Sequence, residues 1–215
     1  MISIVKNKKP EILILNEKEW LEELMEYVKQ GKEVPSTVGG RYRHNQIKQT
    51  LLSECKEKCV YCESKVTHID YGDIEHILPK SIHRELTFSW ENLTIGCSKC
   101  NTNKADYYNP DLPLLNPYTD NPENKIIFFG AIPYPTNGNA QAEMTIMKLK
   151  LDRSELVERR DEHIKKLTPL FKEFHKSKDA TLKDLLLQDI LEYTKPDKEF
   201  SLLTKHAIES FRITG

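Results

Sequence analysis

The sequence has no long apolar run. No stretch approaches the roughly 20 consecutive apolar residues that a membrane-spanning helix needs, and the apolar part of the opening MISIVKNKKPEILIL is too short and interrupted for a secretory signal. A cytoplasmic chain with no membrane partner is therefore expected. An excess of one charge is also missing: 32 Lys and Arg stand against 33 Asp and Glu, for a net charge of −1. Residues 56–106 carry seven basic and eight acidic side chains, and the nearest thing to a basic patch is GRYRHNQIK, with Arg41, Arg43, His44 and Lys48. A chain that binds nucleic acid unaided usually brings a positive face or a helix-turn-helix, and neither is evident. Internal repeats, low-complexity tracts and long heptad runs are absent too, which sets aside solenoids, disordered linkers and coiled coils. With 38% hydrophobic and 30% charged residues over 215 positions, what remains is an ordinary globular chain long enough for a real core.

Cysteine is scarce, and its placement is informative. Of five, four form the pairs Cys59-Val-Tyr-Cys62 and Cys97-Ser-Lys-Cys100. In a chain without an export signal, two pairs with two-residue knuckle spacing read as a metal site rather than as disulfides. Four thiolates suit tetrahedral Zn²⁺, and a closed site of that kind leaves no open position for chemistry. Its expected task is structural: it pins together the two ends of the segment between the knuckles. The fifth, Cys55, lies beside Leu51 and Leu52 on an expected helix and reads as a buried small apolar residue.

Periodicity divides the chain into a helical region 1–57, a segment 58–106 of short runs between cysteines, a connector with a β-hairpin over 107–150, and a second helical region 151–215. In the first, NEKEWLEELMEYV opens with Asn16 and Glu19 at capping-box spacing before Trp20, Leu24 and Val28. NQIKQTLLSECKEK then restarts a helix with Ile47, Leu51 and Cys55 on one face. In the second, strands are expected at 74–77 and 93–95 and a helix over 98–105. In the third, strands are expected at 125–129 and 144–148, with PYPTNGNAQ as the turn. In the last, Asp152 with Glu155 and Thr181 with Asp184 repeat the capping spacing, and KPDKEF precedes a final helix over 201–211. The expected class is α+β: a zinc-stapled strand-strand-helix core with N-terminal helices and a mainly helical C-terminal region.

Between the knuckles lie Asp73, Glu75, His76 and Asn92, and just beyond them Asn101 and Lys104. Read singly, each has an ordinary explanation as a surface pair, a turn residue, a helix cap or a solvated side chain. Together, carboxylate and amide oxygens beside an imidazole on a zinc-stapled scaffold make an arrangement suited to cutting phosphodiesters. Asp73, two residues before Glu75, shares its strand face and could orient a water at a bound ion. His68 and His83 flank the group without an evident partner and read as structural or surface residues.

CVYC, GDIEHILPKS and WENLTIGCSKCNTNK resemble the HNH endonucleases and their ββα-metal fold. The resemblance implies that His76 is the general base, that Glu75 is a ligand of the catalytic divalent ion, and that Asn92 fixes the loop orienting the base. It further implies that Asn101 is a second metal ligand and that Lys104 lies near a phosphate, with Arg41, Arg43 and Lys80 as further nucleic-acid contacts. Glu replaces the commoner Asp before the histidine, and Asn stands for the last His. The oxygen ligands suit Mg²⁺ or Mn²⁺.

The wider order, from GRYRH through KCVYCES and GDIEHILPKS to PLLNPYTDNPENKIIFF and LKLDRSELVERR, is similar to the Septu-type, PtuB-like anti-phage HNH proteins, which also occur with retrons. That similarity implies an ATPase partner of the PtuA type and cleavage of nucleic acid, DNA rather than RNA, during infection. The charge count bears on this independently, because a near-neutral chain lacks the phosphate-neutralising term behind non-specific affinity. Something else should supply it. The alternatives are a stand-alone restriction-type HNH nuclease and a non-catalytic zinc module that binds nucleic acid or protein.

Overall fold

The structure, a computed structural model, describes residues 1–66 and 72–213; His68 lies outside the described residues. The architecture is α+β, mostly helical, with two small antiparallel sheets among the described residues. Helix α1 (Glu11–Lys29) starts at Pro10 rather than at Asn16. Pro10 has extended backbone angles and its carbonyl accepts from Leu13 and Ile14 N–H, while Glu11 places an acid in the first turn, where the helix dipole favours it. Asn16 sits inside the helix, its amide donating back to the Ile12 carbonyl at 2.8 Å. The early start lets Leu13 join Leu24 in the buried stripe, whereas Val28 ends up at the surface.

A short helix α2 (Ser36–Gly39) and a 3-10 turn (Arg41–Arg43) lead into α3 (Asn45–Glu54), which buries Ile47, Leu51 and Leu52 with Cys55 behind them. Strand β1 (Asp73–His76) pairs with β2 (Leu93–Gly96) in the register Asp73 to Gly96 and His76 to Leu93. Helix α4 (Ser98–Lys104) follows directly. These three elements lie within a residue of the strands expected at 74–77 and 93–95 and of the helix expected over 98–105.

The connector contains α5 (Pro122–Lys125) and a hairpin of β3 (Ile126–Phe129) and β4 (Ile132–Pro135). The expected strand at 144–148 is instead part of α6 (Ala140–Leu149). Asn139 caps that helix by accepting from Ala142 N–H, and Ala142, Thr145, Ile146 and Leu149 fall on one buried face at helical spacing. The prolines of β4 are tolerated because a two-stranded sheet has only edges.

Helices α7 (Ser154–Lys176), α8 (Ala180–Glu192) and α9 (Ser201–Ser210) complete the chain. Arg153, not Asp152, occupies the cap of α7, and Asp179 rather than Thr181 caps α8, accepting from Thr181 and Leu182 N–H. Two apolar clusters result. The larger gathers α1, α3, β1, β2, α6 and the start of α7; the smaller lies among Leu167, Phe171, Phe174, Leu186, Ile190, Ala207 and Ile213. No described helix is long and apolar enough to cross a membrane.

Candidate active site

The first knuckle is a tight turn. Its ends pair as an isolated bridge between Lys58 and Lys65, Cys59 N–H donates to Ser64, and Val60 N–H donates across to Ile95 of β2. The second knuckle opens α4: Cys97 is its cap residue, and its sulfur accepts from Cys100 N–H at 3.5 Å. All four sulfurs lie within 4.8 Å of one another, with Cys62 and Cys97 at 3.9 Å. A tetrahedral ion with bonds of about 2.3 Å holds sulfurs about 3.8 Å apart, so the cluster fits Zn²⁺. Four thiolates outweigh the charge of a divalent ion, and two arginines lie nearby. Arg153 Nη1 donates to Cys100 Sγ at 3.8 Å. Arg160 is buried with Nη1 on the Leu151 carbonyl at 2.6 Å; burial pulls its pKa down to about 10, opposed by the thiols of Cys62 and Cys100 and by Glu63, and it stays charged at neutral pH.

Alternation along β1 puts Asp73 and Glu75 on one face, and α4 lies against it. Two rungs join strand to helix: Asn101 Nδ2 donates to Asp73 Oδ2 at 3.2 Å, and Lys104 Nζ pairs with Glu75 Oε1 at 2.7 Å. Residues two apart on a strand thus meet residues three apart on a helix. Lys104 Nζ also donates to the backbone carbonyl of His76 at 2.7 Å. Glu75 and Lys104 are both buried, and burial raises the Glu75 pKa against the pull of Lys104. The Tyr61 hydroxyl is also buried, with no hydrogen-bond partner among the described residues, and burial, helped by the Glu75 charge, raises its pKa.

The His76 ring is held elsewhere. Its Nε2 lies 2.9 Å from the Thr87 carbonyl. A carbonyl only accepts, so Nε2 carries the proton and Nδ1 is the basic nitrogen. The ring of Tyr42 packs edge-on against the imidazole, with centroids 4.6 Å apart. Burial lowers the His76 pKa to about 4; the Thr87 carbonyl opposes this, and Lys80, Lys104 and Arg43 add to it. The imidazole is neutral at pH 7. Asn92 closes the loop that leaves β1: its Oδ1 accepts from Leu78 N–H at 2.8 Å, its Nδ2 donates to Leu78 O at 3.0 Å, and its carbonyl accepts from Ile77 N–H.

Tyr42, Arg43, Lys48, Gly72, Asp73, Ile74 and Asn101 line an open cleft at this end of the sheet. The predicted residues therefore divide. Asp73, Asn101 and Arg43 line the cleft; His76 and Lys80 meet it through Tyr42, whose hydroxyl accepts from Lys80 Nζ at 2.6 Å. Lys104, expected near a phosphate, is turned inward, because the helical step from Asn101 carries it over Glu75. Arg41 is also drawn away, its guanidinium paired with Glu23 of α1 at 2.5 Å. His83 pairs with Glu85 at 3.1 Å and packs on Tyr108. Tyr42 and Thr87 are functional neighbours that the sequence reading omits. Tyr42 had a visible signal, an aromatic set between two arginines; a backbone carbonyl such as that of Thr87 has none.

The sequence model of the HNH endonuclease family matches residues 59–106. A Septu protein PtuB from Bacillus thuringiensis is 38% identical over 84 residues, covering 39% of this chain and 33% of that protein. A second, from Bacillus mycoides (strain KBAB4), is 30% identical over 151 residues, covering 55% of this chain and 51% of that protein. The chain thus spans between a third and about half of the length of these curated relatives. It carries an HNH segment and is PtuB-like over the part compared.

Proposed function

We propose that this PtuB-like chain is a metal-dependent endonuclease that hydrolyses phosphodiester bonds of nucleic acid, with His76 as general base. One observation carries the reading: a buried, neutral imidazole whose Nε2–H is committed to Thr87, leaving Nδ1 as the proton acceptor, one ring away from a cleft that offers both oxygen donors and cations. A general base needs to be unprotonated at working pH and held in one tautomer. Asn92 keeps the loop after the base in register, and Arg43 and Lys48 supply positive charge beside the cleft, where a phosphate could lie.

Glu75 and Asn101 would hold a catalytic Mg²⁺ or Mn²⁺, with Asp73 beside them. The donor set fits such an ion, since all three offer oxygen, which hard cations prefer. Lys104 Nζ meets Glu75 at Oε1. When bound, the ion would supply charge stabilisation for the phosphoryl group and the departing oxygen. The zinc cluster would do no chemistry; it would fix α4 against β1, so that these donors need no ordering when substrate arrives.

The substrate we expect is DNA rather than RNA, and the setting anti-phage defence in the cytoplasm with an ATPase partner of the PtuA type. Two things support this: both relatives are Septu proteins, and the nuclease segment has slightly more acid than base, which leaves phosphate neutralisation to a partner. A zinc module without catalysis would have no use for a clamped loop, a fixed tautomer and oxygen donors in one cleft.

The test is cleavage of plasmid DNA and of tRNA with Mg²⁺ or Mn²⁺, by wild type and His76→Ala, with zinc measured on both. Wild type should cut. His76→Ala should be slower by about 10²- to 10⁴-fold at unchanged zinc content, and undiminished cleavage by the variant ends the assignment. Co-purification with an ATPase encoded beside this chain tests the partner.

A further inference from the structure

The base is walled in from outside the segment that matches the nuclease family. Tyr42 belongs to the Arg41–Arg43 turn, ahead of α3, and is itself almost fully buried. The turn is built with some care. At Gly40 a Cβ would stand 2.5 Å from the Ser36 carbonyl, so the close backbone approach that starts the turn requires glycine. Arg41 ties the turn to α1 through Glu23, and the His44 ring nitrogen caps α3 by accepting from Gln46 N–H. Between these anchors Tyr42 points at His76.

We propose that Tyr42 is a positioning residue for His76, which makes the turn at residues 40–44 part of the catalytic apparatus. The proposal rests on the nuclease reading above. A single hydrogen bond, Nε2 to Thr87, fixes one end of the imidazole and leaves the ring free to swing about that bond. The Tyr42 ring, edge-on at 78° and 4.6 Å, takes up that freedom. Its hydroxyl does a second job. It accepts from Lys80 Nζ at 2.6 Å, and that ammonium also lies 4.4 Å from the centre of the Tyr42 ring. Lys80 belongs to the loop leaving β1, the same loop that Asn92 clamps from the other side. The His76 ring is therefore bounded by a carbonyl, an aromatic ring and a loop that the ring's own hydroxyl holds closed.

The experiment compares Tyr42→Leu and Tyr42→Phe with wild type, using the full zinc-loaded chain, plasmid DNA and Mn²⁺. Tyr42→Leu should lower kcat by about 10- to 100-fold with KM within about twofold, the pattern of a displaced reacting group rather than of lost binding. Tyr42→Phe keeps the ring and should recover to within about threefold to tenfold of wild type. In ¹³C-histidine-labelled protein, the His76 ring C–H resonances should move in Tyr42→Leu and stay close to wild type in Tyr42→Phe, because only the latter keeps the neighbouring ring current. Unchanged kcat and unchanged His76 resonances in Tyr42→Leu overturn the proposal. Should that variant lose its zinc, Lys80→Met takes its place: a kcat loss of about threefold or more supports the proposal and wild-type kcat overturns it. If wild type itself cuts neither DNA nor RNA, the nuclease reading falls and the catalytic role of Tyr42 with it, whereas resonances that respond to the ring would still establish the contact.

Discussion

The segment 58–106 and the helices α7 to α9 are built on opposite plans. The interior of the first is crowded with polar groups: Glu75, His76, Thr87, Asn92, Thr94 and Lys104 are all at most 6% exposed. The smaller apolar cluster of the second is Leu167, Phe171, Phe174, Leu186, Ile190, Ala207 and Ile213, with Arg160, Ser201 and Thr204 buried elsewhere in these helices. Buried polar groups cost free energy unless each finds a partner, and here they find them in β1, α4 and the loop that Asn92 closes. The smaller cluster itself needs no such matching, since apolar burial is non-directional. A metal ion held by the four cysteines would add stability to a short segment that carries this many buried polar groups.

The comparison breaks most sharply at the metal. Cys97→Ser, or a strong chelator, should remove the zinc and unfold residues 58–106, because binding free energies of about 10–16 kcal/mol act as folding free energy in small zinc units. Helical circular dichroism from α7 to α9 should largely survive. Metal analysis with a melting curve checks this, and a metal-free protein that melts like wild type would refute it. Phe171→Ala should do the reverse. A fully buried aromatic lost from the smaller cluster costs about 3–5 kcal/mol, so the urea midpoint of the helical region should fall while zinc stays bound; loss of zinc at that first transition would show the two regions to be one.

The smallest effect expected is one of pH. His163 of α7 bonds through Nε2 to Thr204 Oγ1 at 2.8 Å and packs against Phe200 and Tyr193. Burial lowers its pKa, Glu199 and Glu63 pull it up, and Lys166 pushes it down. Because the folded value lies below the unfolded 6.5, the unfolded chain binds the proton more readily. The stabilising difference is therefore complete above about pH 6.5 and shrinks as pH falls through and below that value. Denaturant midpoints at pH 7 and pH 5.5 should differ, and His163→Phe should reduce the difference; part will remain, because burial lowers His76, to about 4, and His206 in the same direction. An equal pH dependence in the variant would refute the assignment.

How much of this was legible in the sequence follows from the range of the interactions involved. The knuckles, both core strands and α4 could be read because metal spacing and local alternation are short-range signals. The stretch 144–148 misled for a related reason: Met144, Ile146 and Lys148 give no strong period over so short a window, and the decisive cap, Asn139, sits in what reads as a turn. The start of α1 was missed because Pro10 announces a helix less loudly than a capping box. Within the site, residue types were readable but pairings were not. That Lys104 faces Glu75 depends on α4 lying along β1, and that Tyr42 faces His76 depends on a turn fixed by Gly40 and by Glu23 of another helix.

Cys97 and Cys100 stand at the head of the helix that carries Asn101 and Lys104. During synthesis the chain presents Cys59, Cys62, Glu75 and His76 first, and Cys97 emerges 35 positions after Cys62. Until then the Glu75 carboxylate has no helix to face. Capture of one metal ion by the four cysteines would close the knuckle and bring Asn101 and Lys104 to the strand in the same event, so a cell short of that metal would accumulate the polypeptide well ahead of the assembled segment.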